Sequence, residues 1–222
     1  MELSNDETTF YLVRHGEGEQ NVLRILNSLS EGERFGLTEA GRAQVEATAK
    51  ELAGEGIDLI YASPIRRTRE TAEIISAATG ASITYDERLR ETDFGVWSGR
   101  SADDFWKRYP DPSSRLDGND EDGLEGFRAM RSRLGEFLRE VLNENIGKKI
   151  VLVSHGDPTE QLHGILTKED IGTTISGWYP KKGFATKVTV AADFLDGFDE
   201  REARLRAAVP DPAALTHVPE RQ

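Results

Sequence analysis

The 222-residue chain has no cysteine, so neither a disulfide framework nor a thiolate metal site is available to it. No apolar run approaches the length of a membrane span. The first ten residues, MELSNDETTF, are acidic and polar and cannot serve as a secretory signal, so a cytoplasmic location is expected. Positive charge is in short supply: Lys and Arg number 28 against 40 Asp and Glu, a net charge of −12. That balance argues against nucleic acid or an anionic membrane as a partner, and it makes any local cluster of arginines informative.

What is present alternates between two patterns. Thr9 to Val13 is short, apolar and rich in β-branched or aromatic residues, as a strand covered on both faces would be. LTEAGRAQVEATAKELAGEG then reads as a helix, with Ala40, Ala43, Val45, Ala47 and Leu52 at helical spacing, Thr38 as N-cap and Gly54 and Gly56 as the stop. IDLIYASP is a second strand and SPIRRTRETAEIISAATG a second helix, with Ser63 as its cap, Pro64 at its first position and Gly80 at its end. SITYDERL is a third strand. Residues 123–145 form a helix with Phe127, Met130, Leu134, Phe137, Leu138 and Val141 on one face; KKIVLVSHG and ATKVTVAA supply two more strands. The expected fold is α/β, a three-layer sandwich around a mostly parallel sheet. One domain should span 1–193, with 101–125 as a lid. Residues 194–222 form an extension, helix-like over Asp199 to Ala208 and otherwise loosely packed. Nothing in the pattern sets an oligomeric state.

In such folds ligands bind beyond the carboxyl ends of the strands. Arg14-His15-Gly16 ends the first strand, the second runs into SPIRRTRETA, and Ser154-His155-Gly156 ends the fourth. A side chain fit for chemistry is thus twice followed by a glycine whose backbone lets a ligand approach. LRETDFGVWSG adds Glu91 after the third strand. Two histidines among arginines at one sheet edge point to an anion held between them.

This combination resembles the histidine phosphatase superfamily, the phosphoglycerate-mutase-like proteins. RHG at 14–16 with Asn21, LTEAG at 37–41 with Gln44, SPIRRTRETA at 63–72, LRETDFGVWSG at 89–99 and VSHG at 153–156 occur in that family's order. The resemblance implies a phosphomonoester hydrolase that works through phosphohistidine and needs no cofactor or metal. Its partner would be a small-molecule phosphomonoester. It assigns His15 as nucleophile, Arg14 and Arg67 as phosphoryl clamps, Glu91 as proton donor and His155 as a further donor to the same oxygens. It also places Asn21 and Gly156 at the substrate. Arg66 is the adjacent rival to Arg67, and Glu87 and Asp93 are rivals to Glu91. Arg69 reads as a solvent-facing residue of the same helix, Trp97 as packing of the loop, and His163 and His217 as residues without a partner pattern. A metal site built from His15, His155, Glu91, Asp157 and Glu17 is disfavoured by the absence of a ligand spacing and by Arg14, which would repel a cation.

Gly18 replaces the usual hydroxyl residue of the first motif, Glu17 and Glu19 add negative charge there, and ILNSLSEGERFG stands in for a Gly-Trp-Asp segment. Residues 101–125 carry eight acids (Asp103, Asp104, Asp111, Asp117, Asp120, Glu121, Asp122, Glu125) against Lys107, Arg108 and Arg115. An acidic lid should repel a bisphosphate intermediate, which favours a phosphatase over a mutase-type phosphotransferase. A phospho-ligand binding module without catalysis is the non-enzymatic alternative.

Overall fold

The computed structural model describes residues 7–28 and 33–210. Its elements in chain order are β1 (Thr8–Arg14), α1 (Glu19–Val22), α2 (Glu39–Leu52), β2 (Leu59–Ala62), α3 (Arg66–Thr79) and β3 (Ser82–Tyr85). They continue with α4 (Ala102–Arg108), α5 (Phe127–Glu144), β4 (Lys149–Ser154), α6 (Gly156–Leu166), α7 (Ile171–Gly177), β5 (Ala185–Val190) and α8 (Phe198–Ala207). The strands form one sheet in the order β3-β2-β4-β1-β5, parallel except for β5, which runs antiparallel to β1.

The central strands are apolar throughout because both of their faces are covered. Phe10 and Leu12 of β1, with Ile150 and Leu152 of β4, face a core shared with α5, α6, α7 and α8. The alternate residues Tyr11, Val13, Val151 and Val153 face the core under α2 and α3. This is the expected three-layer sandwich. Residues 94–124 have a smaller cluster of their own around Phe105, with Leu26, Phe94, Tyr109 and Leu124.

Several local expectations are corrected. The buried stripe of α2 is Gly41, Val45, Thr48, Ala49 and Leu52, while Ala40, Ala43 and Ala47 are exposed; Thr38 does cap it, its hydroxyl accepting from Gly41 N at 2.9 Å. Helix α3 begins two residues after Pro64, with Ile65 at the N-cap, because the Ser63 hydroxyl is turned toward His155 instead. Helices α4, α6 and α7 were not anticipated. Gly80, with φ 77°, ends α3 as expected.

The piece after Asp193 packs more firmly than its composition suggested. Phe194 and Phe198 are buried in the main core, and Arg131 Nε donates to Glu202 Oε2 at 3.0 Å between α5 and α8. His217 lies outside the described residues. Phe198→Ala should therefore lower the unfolding free energy by about 3–5 kcal/mol in urea titration, the usual cost of emptying a buried phenyl site. A change below ~1 kcal/mol, typical of surface substitutions, would mean α8 merely lies against the surface.

Candidate active site

The register of β1 and β4 sets the site. Arg14 pairs with Ser154, so the next residue of each strand, His15 and His155, emerges at the same edge; their ring centroids are 5.3 Å apart. His15 N donates to Ser154 O at 3.0 Å, which locks the two strand ends together. From β2 the chain turns at Ser63 into α3, whose second residue, Arg67, reaches between the histidines.

Arg67 is 1% exposed. Its Nε–H donates to His15 Nε2 at 3.1 Å and its Nη2–H to His155 Nδ1 at 2.9 Å. The same guanidinium bonds the Asn27 side-chain oxygen and donates to the Asn27 carbonyl at 3.1 Å. Arg66, by contrast, has a side chain 42% exposed and pairs with Glu70 one turn on. Of the adjacent pair, it is Arg67 that enters the site. Arg69 pairs with Glu33 at the surface.

These donors fix the protonation of both rings. A guanidinium can only donate, so His15 Nε2 carries a lone pair and the ring's proton lies on Nδ1, donated to Gly16 O at 2.6 Å. His155 is the opposite tautomer: Nδ1 accepts from Arg67 and Nε2–H donates to Ser63 Oγ at 2.9 Å. In this arrangement His155 is an acceptor, not the donor expected of it. To donate from Nδ1 it must move its proton, with the Ser63 hydroxyl reversing to supply Nε2. Burial holds both rings neutral, well below the ordinary histidine pKa of 6.5, and for His15 the charges of Arg67, Arg14 and Lys182 push in the same direction.

Arg14 donates from Nη1 to Pro180 O at 3.1 Å, and its buried Nε has no partner. Glu91 Oε2 is 4.0 Å from His155 Nδ1, and Glu91 Oε1 accepts from Thr92 N at 3.0 Å. Burial, then the nearby Asp157 charge, raise the Glu91 carboxyl to about 7 against the pull of Arg67. Asp157 is held by Arg115 Nη1 at 2.7 Å, by the Thr92 hydroxyl at 3.2 Å and by the Tyr179 hydroxyl at 3.1 Å. Arg115 is itself boxed by the Phe127, Trp106 and Phe105 rings. Asn21 lines the pocket, its Oδ1 accepting from Gly18 N at 3.0 Å and from Gln20 Nε2 at 3.2 Å.

The two glycines serve packing more than ligand approach. A Cβ on Gly16 would lie 2.4 Å from Gly41 O of α2, and one on Gly156 would lie 2.1 Å from the Tyr179 hydroxyl. Trp97 packs on Phe105 and donates to Asp122, as a loop-packing residue should. His163 stacks on Trp178, with centroids 4.4 Å apart. Among the described residues no group of three His, Asp or Glu is placed to hold a metal ion.

Beside Arg14 lies a pocket of about 160 Å³ lined by Arg14, Gln20, Asn21, Arg24, Ile25, Leu26, Phe94, Ala102, Trp106, Asp157, Tyr179 and Lys182; His15, His155, Arg67 and Glu91 are not among its lining residues. None of the eight acids of 101–125 lines it. Asp103 is tied to Arg24, Asp104 to Lys107, Asp122 to Trp97 and Tyr109, and Glu125 to Arg133. The acidic-lid argument against a bisphosphate therefore fails on geometry. Glu19 is likewise occupied, accepting from Gly36 N. Asn27, Ser63, Tyr179 and Lys182 were missed from the sequence. Ser63 alone carries a signal, a hydroxyl at the head of the arginine helix, and that signal reads equally as a helix cap.

Comparison with known proteins bears on the same residues. A family model described as histidine phosphatase superfamily (branch 1) matches residues 10–176. Phosphoserine phosphatase 1 of Hydrogenobacter thermophilus is 31% identical over 164 residues, covering 72% of this chain and 76% of that protein. A probable phosphoglycerate mutase, GpmB of Citrobacter koseri, is 37% identical over 66% of this chain and 68% of its own. Among solved structures, YhfR of Bacillus stearothermophilus superposes with a TM-score of 0.72 at 27% identity, covering 83% of this chain and 95% of that one. A mycobacterial glucosyl-3-phosphoglycerate phosphatase in complex with inorganic phosphate gives 0.67 at 25% identity, covering 82% and 88%.

The tautomers are directly measurable. Long-range proton–nitrogen-15 NMR should find His15 as the Nδ1–H form and His155 as the Nε2–H form. At pH 6.5, where an ordinary histidine is half protonated, both rings should remain neutral. An imidazolium signal from either one would refute the arrangement.

Proposed function

The chain belongs to the histidine phosphatase superfamily, branch 1, and from that premise we propose that it hydrolyses phosphomonoesters with His15 as the nucleophile. The observation that carries this reading is the His15 tautomer: Nδ1–H is spent on Gly16 O, and the Nε2 lone pair faces a buried cation. A phosphoryl oxygen is a better acceptor for Arg67 than imidazole is, so substrate takes over the guanidinium and releases Nε2 to attack phosphorus. As the N–P bond forms, the ester P–O bond breaks and the ring becomes cationic. Gly16 O, accepting from Nδ1–H, stabilises that developing charge.

Arg14 and Arg67 neutralise the non-bridging oxygens. Glu91, raised to about 7 because burial and Asp157 disfavour its anion and so still substantially protonated near neutral pH, gives its proton to the departing alkoxide. The resulting carboxylate then takes a proton from the water that cleaves the N–P bond, which restores neutral His15 and releases phosphate. Asn21, whose position on the pocket wall supports this reading, offers its amide to the substrate. Hydrolysis rather than phosphoryl transfer between hydroxyls is favoured by the pocket's charge. Arg24 is tied to Asp103, which leaves Lys182 as the one further lining cation without a bonded carboxylate among the described residues. That is too little for a second phosphate dianion.

His15→Ala should abolish turnover and acid-labile phosphorylation; full activity in this variant would remove the nucleophile. For wild type, kcat/KM on an alkyl phosphate should fall as pH rises through about 7, since the acid form of Glu91 is lost there. Glu91→Gln should cost alkyl phosphates roughly 10²–10⁴-fold in phosphoenzyme formation, the range for a well-placed general acid. The same variant should cost p-nitrophenyl phosphate much less, because its leaving group is a stable anion. Equal losses on both would take the proton-donor role from Glu91.

A further inference from the structure

Resting on the hydrolase reading, we propose that the buried Arg115–Asp157 pair is a positioning device for the proton donor: it takes up the one negative charge that two neighbouring carboxyls can carry, and so leaves the proton on Glu91. The need for it comes from the site's own charge. Facing Glu91 are Arg14 of β1, Arg67 of α3, His155 at the end of β4 and Asp157 of α6. Arg133 of α5 brings its Nη2 to 3.5 Å from the Glu91 carbonyl, its charge met by Glu125. A pocket rich in cations suits a phosphoryl group and works against a neutral acid, because each nearby cation favours the carboxylate. Beside burial, the charge that opposes ionisation of Glu91 is that of Asp157.

Hydrogen bonding says which of the two carboxyls is ionised. Asp157 receives three donors: Arg115 Nη1 at 2.7 Å and the Thr92 hydroxyl at 3.2 Å on Oδ2, and the Tyr179 hydroxyl at 3.1 Å on Oδ1. A carboxyl that accepts on both oxygens, with a guanidinium among its partners, is a carboxylate. Glu91 accepts from the Thr92 amide on Oε1, and its Oε2 stands 4.0 Å from His155 Nδ1. Thr92 therefore spaces the pair, its N–H on Glu91 and its hydroxyl on Asp157. With one charge fixed next door a second is disfavoured, and the proton stays on Glu91.

Arg115 holds Asp157 in that state from outside the sheet. It belongs to the 94–124 segment, and its side chain is 2% exposed. Its Nε and Nη2 have no hydrogen-bond partner among the described residues, and its guanidinium packs on the rings of Phe105, Trp106 and Phe127. An ion pair buried so deeply gains little stability over apolar side chains of the same volume. What it supplies is a fixed charge in a fixed place. The segment that walls the pocket thus also sets the protonation of the general acid, and its packing around Phe105 is linked to the chemistry.

The test compares the alkaline limb of kcat/KM between variants on one alkyl phosphate, so that ionisation of the substrate cancels; in wild type this limb falls through about 7. Asp157→Asn keeps the shape, since the amide oxygen accepts from Arg115 and Thr92 and the amide N–H donates to the Tyr179 oxygen. It removes the charge, so the limb should move down by roughly 1–3 pH units. Because that variant strands a buried guanidinium, Arg115→Met/Asp157→Asn is measured beside it. With both charges gone its limb should also move down, by less than in the single variant. Tyr179→Phe removes a contact and keeps the charge, and its limb should stay where wild type has it. A limb unmoved in both Asp157 variants would overturn the proposal, as would a shift in Tyr179→Phe equal to that in Asp157→Asn. Carbon-13 NMR of the wild-type carboxyls, on the acid side of the limb, reads the same assignment without turnover. Glu91 should be the acid and Asp157 the carboxylate, and the reverse would overturn the proposal. If the NMR assignment holds and no phosphomonoester is turned over, the hydrolase reading fails alone.

Discussion

Everything at this site follows from burying the Arg67 guanidinium without a carboxylate bonded to it. A cation that deep is costly unless its donors are satisfied. Burial, joined by the Arg14 charge, brings Arg67 down to about 10 even with Glu91 nearby. The fold answers with neutral acceptors: two histidine lone pairs, the Asn27 side chain and the Asn27 carbonyl. Two rings aimed lone-pair-first at one cation must carry their protons on the far side. Gly16 O and Ser63 Oγ stand there to accept them. The strand register, the turn into α3 and the loop holding Asn27 are therefore parts of one requirement. A site so supplied with donors is preorganised for an anion and needs little rearrangement to receive one.

That requirement also marks what the sequence could reveal. The strands were legible because a strand covered on both faces is apolar at every position, as β1 and β4 are. His15 and His155 were legible because the same tripeptide pattern closes two such strands. Arg67 was separable from Arg66 only by motif register, since composition treats the two alike. In the fold a helix turns about 100° per residue, which sends one inward and leaves the other to Glu70. Asn27, Tyr179 and Lys182 come from connections with no periodicity, and their place depends on tertiary contacts that leave no local trace. Ser63 misled for a related reason: Ser-Pro before a helix is a strong cap signal, and the competing demand of His155 for an acceptor prevailed.

The acids of 101–125 show how far a charge count along the chain can stray from a field in space. Asp111 accepts from Ser114 N and closes a turn, Asp122 fastens the Trp97 and Tyr109 rings, and Glu125 receives Arg133 from α5. What this segment turns toward the pocket is Ala102 and Trp106. Its buried cation, Arg115, instead reaches across to Asp157 and fixes the start of α6. Thus the segment contributes shape and apolar surface to the pocket, and most of its carboxylates are engaged in its own turns or in ion pairs with neighbouring elements.

A division of labour results. His15, Arg14, Arg67 and His155, the groups proposed to hold the phosphoryl group, stand at strand ends and the first turn of a helix, where backbone bonding to neighbouring elements fixes them. Arg24, Ile25, Leu26, Phe94, Tyr179 and Lys182 of the pocket wall come from loops, which can vary while the sheet stays the same. The 178–183 segment joins the two, because Gly183 is bonded to the carbonyls of Arg14 and His15 while Tyr179 packs over Arg14 and against Gly156. Any change of backbone there would move Arg14 and His15 together with Tyr179, so the turn and the end of β1 form one mechanical unit.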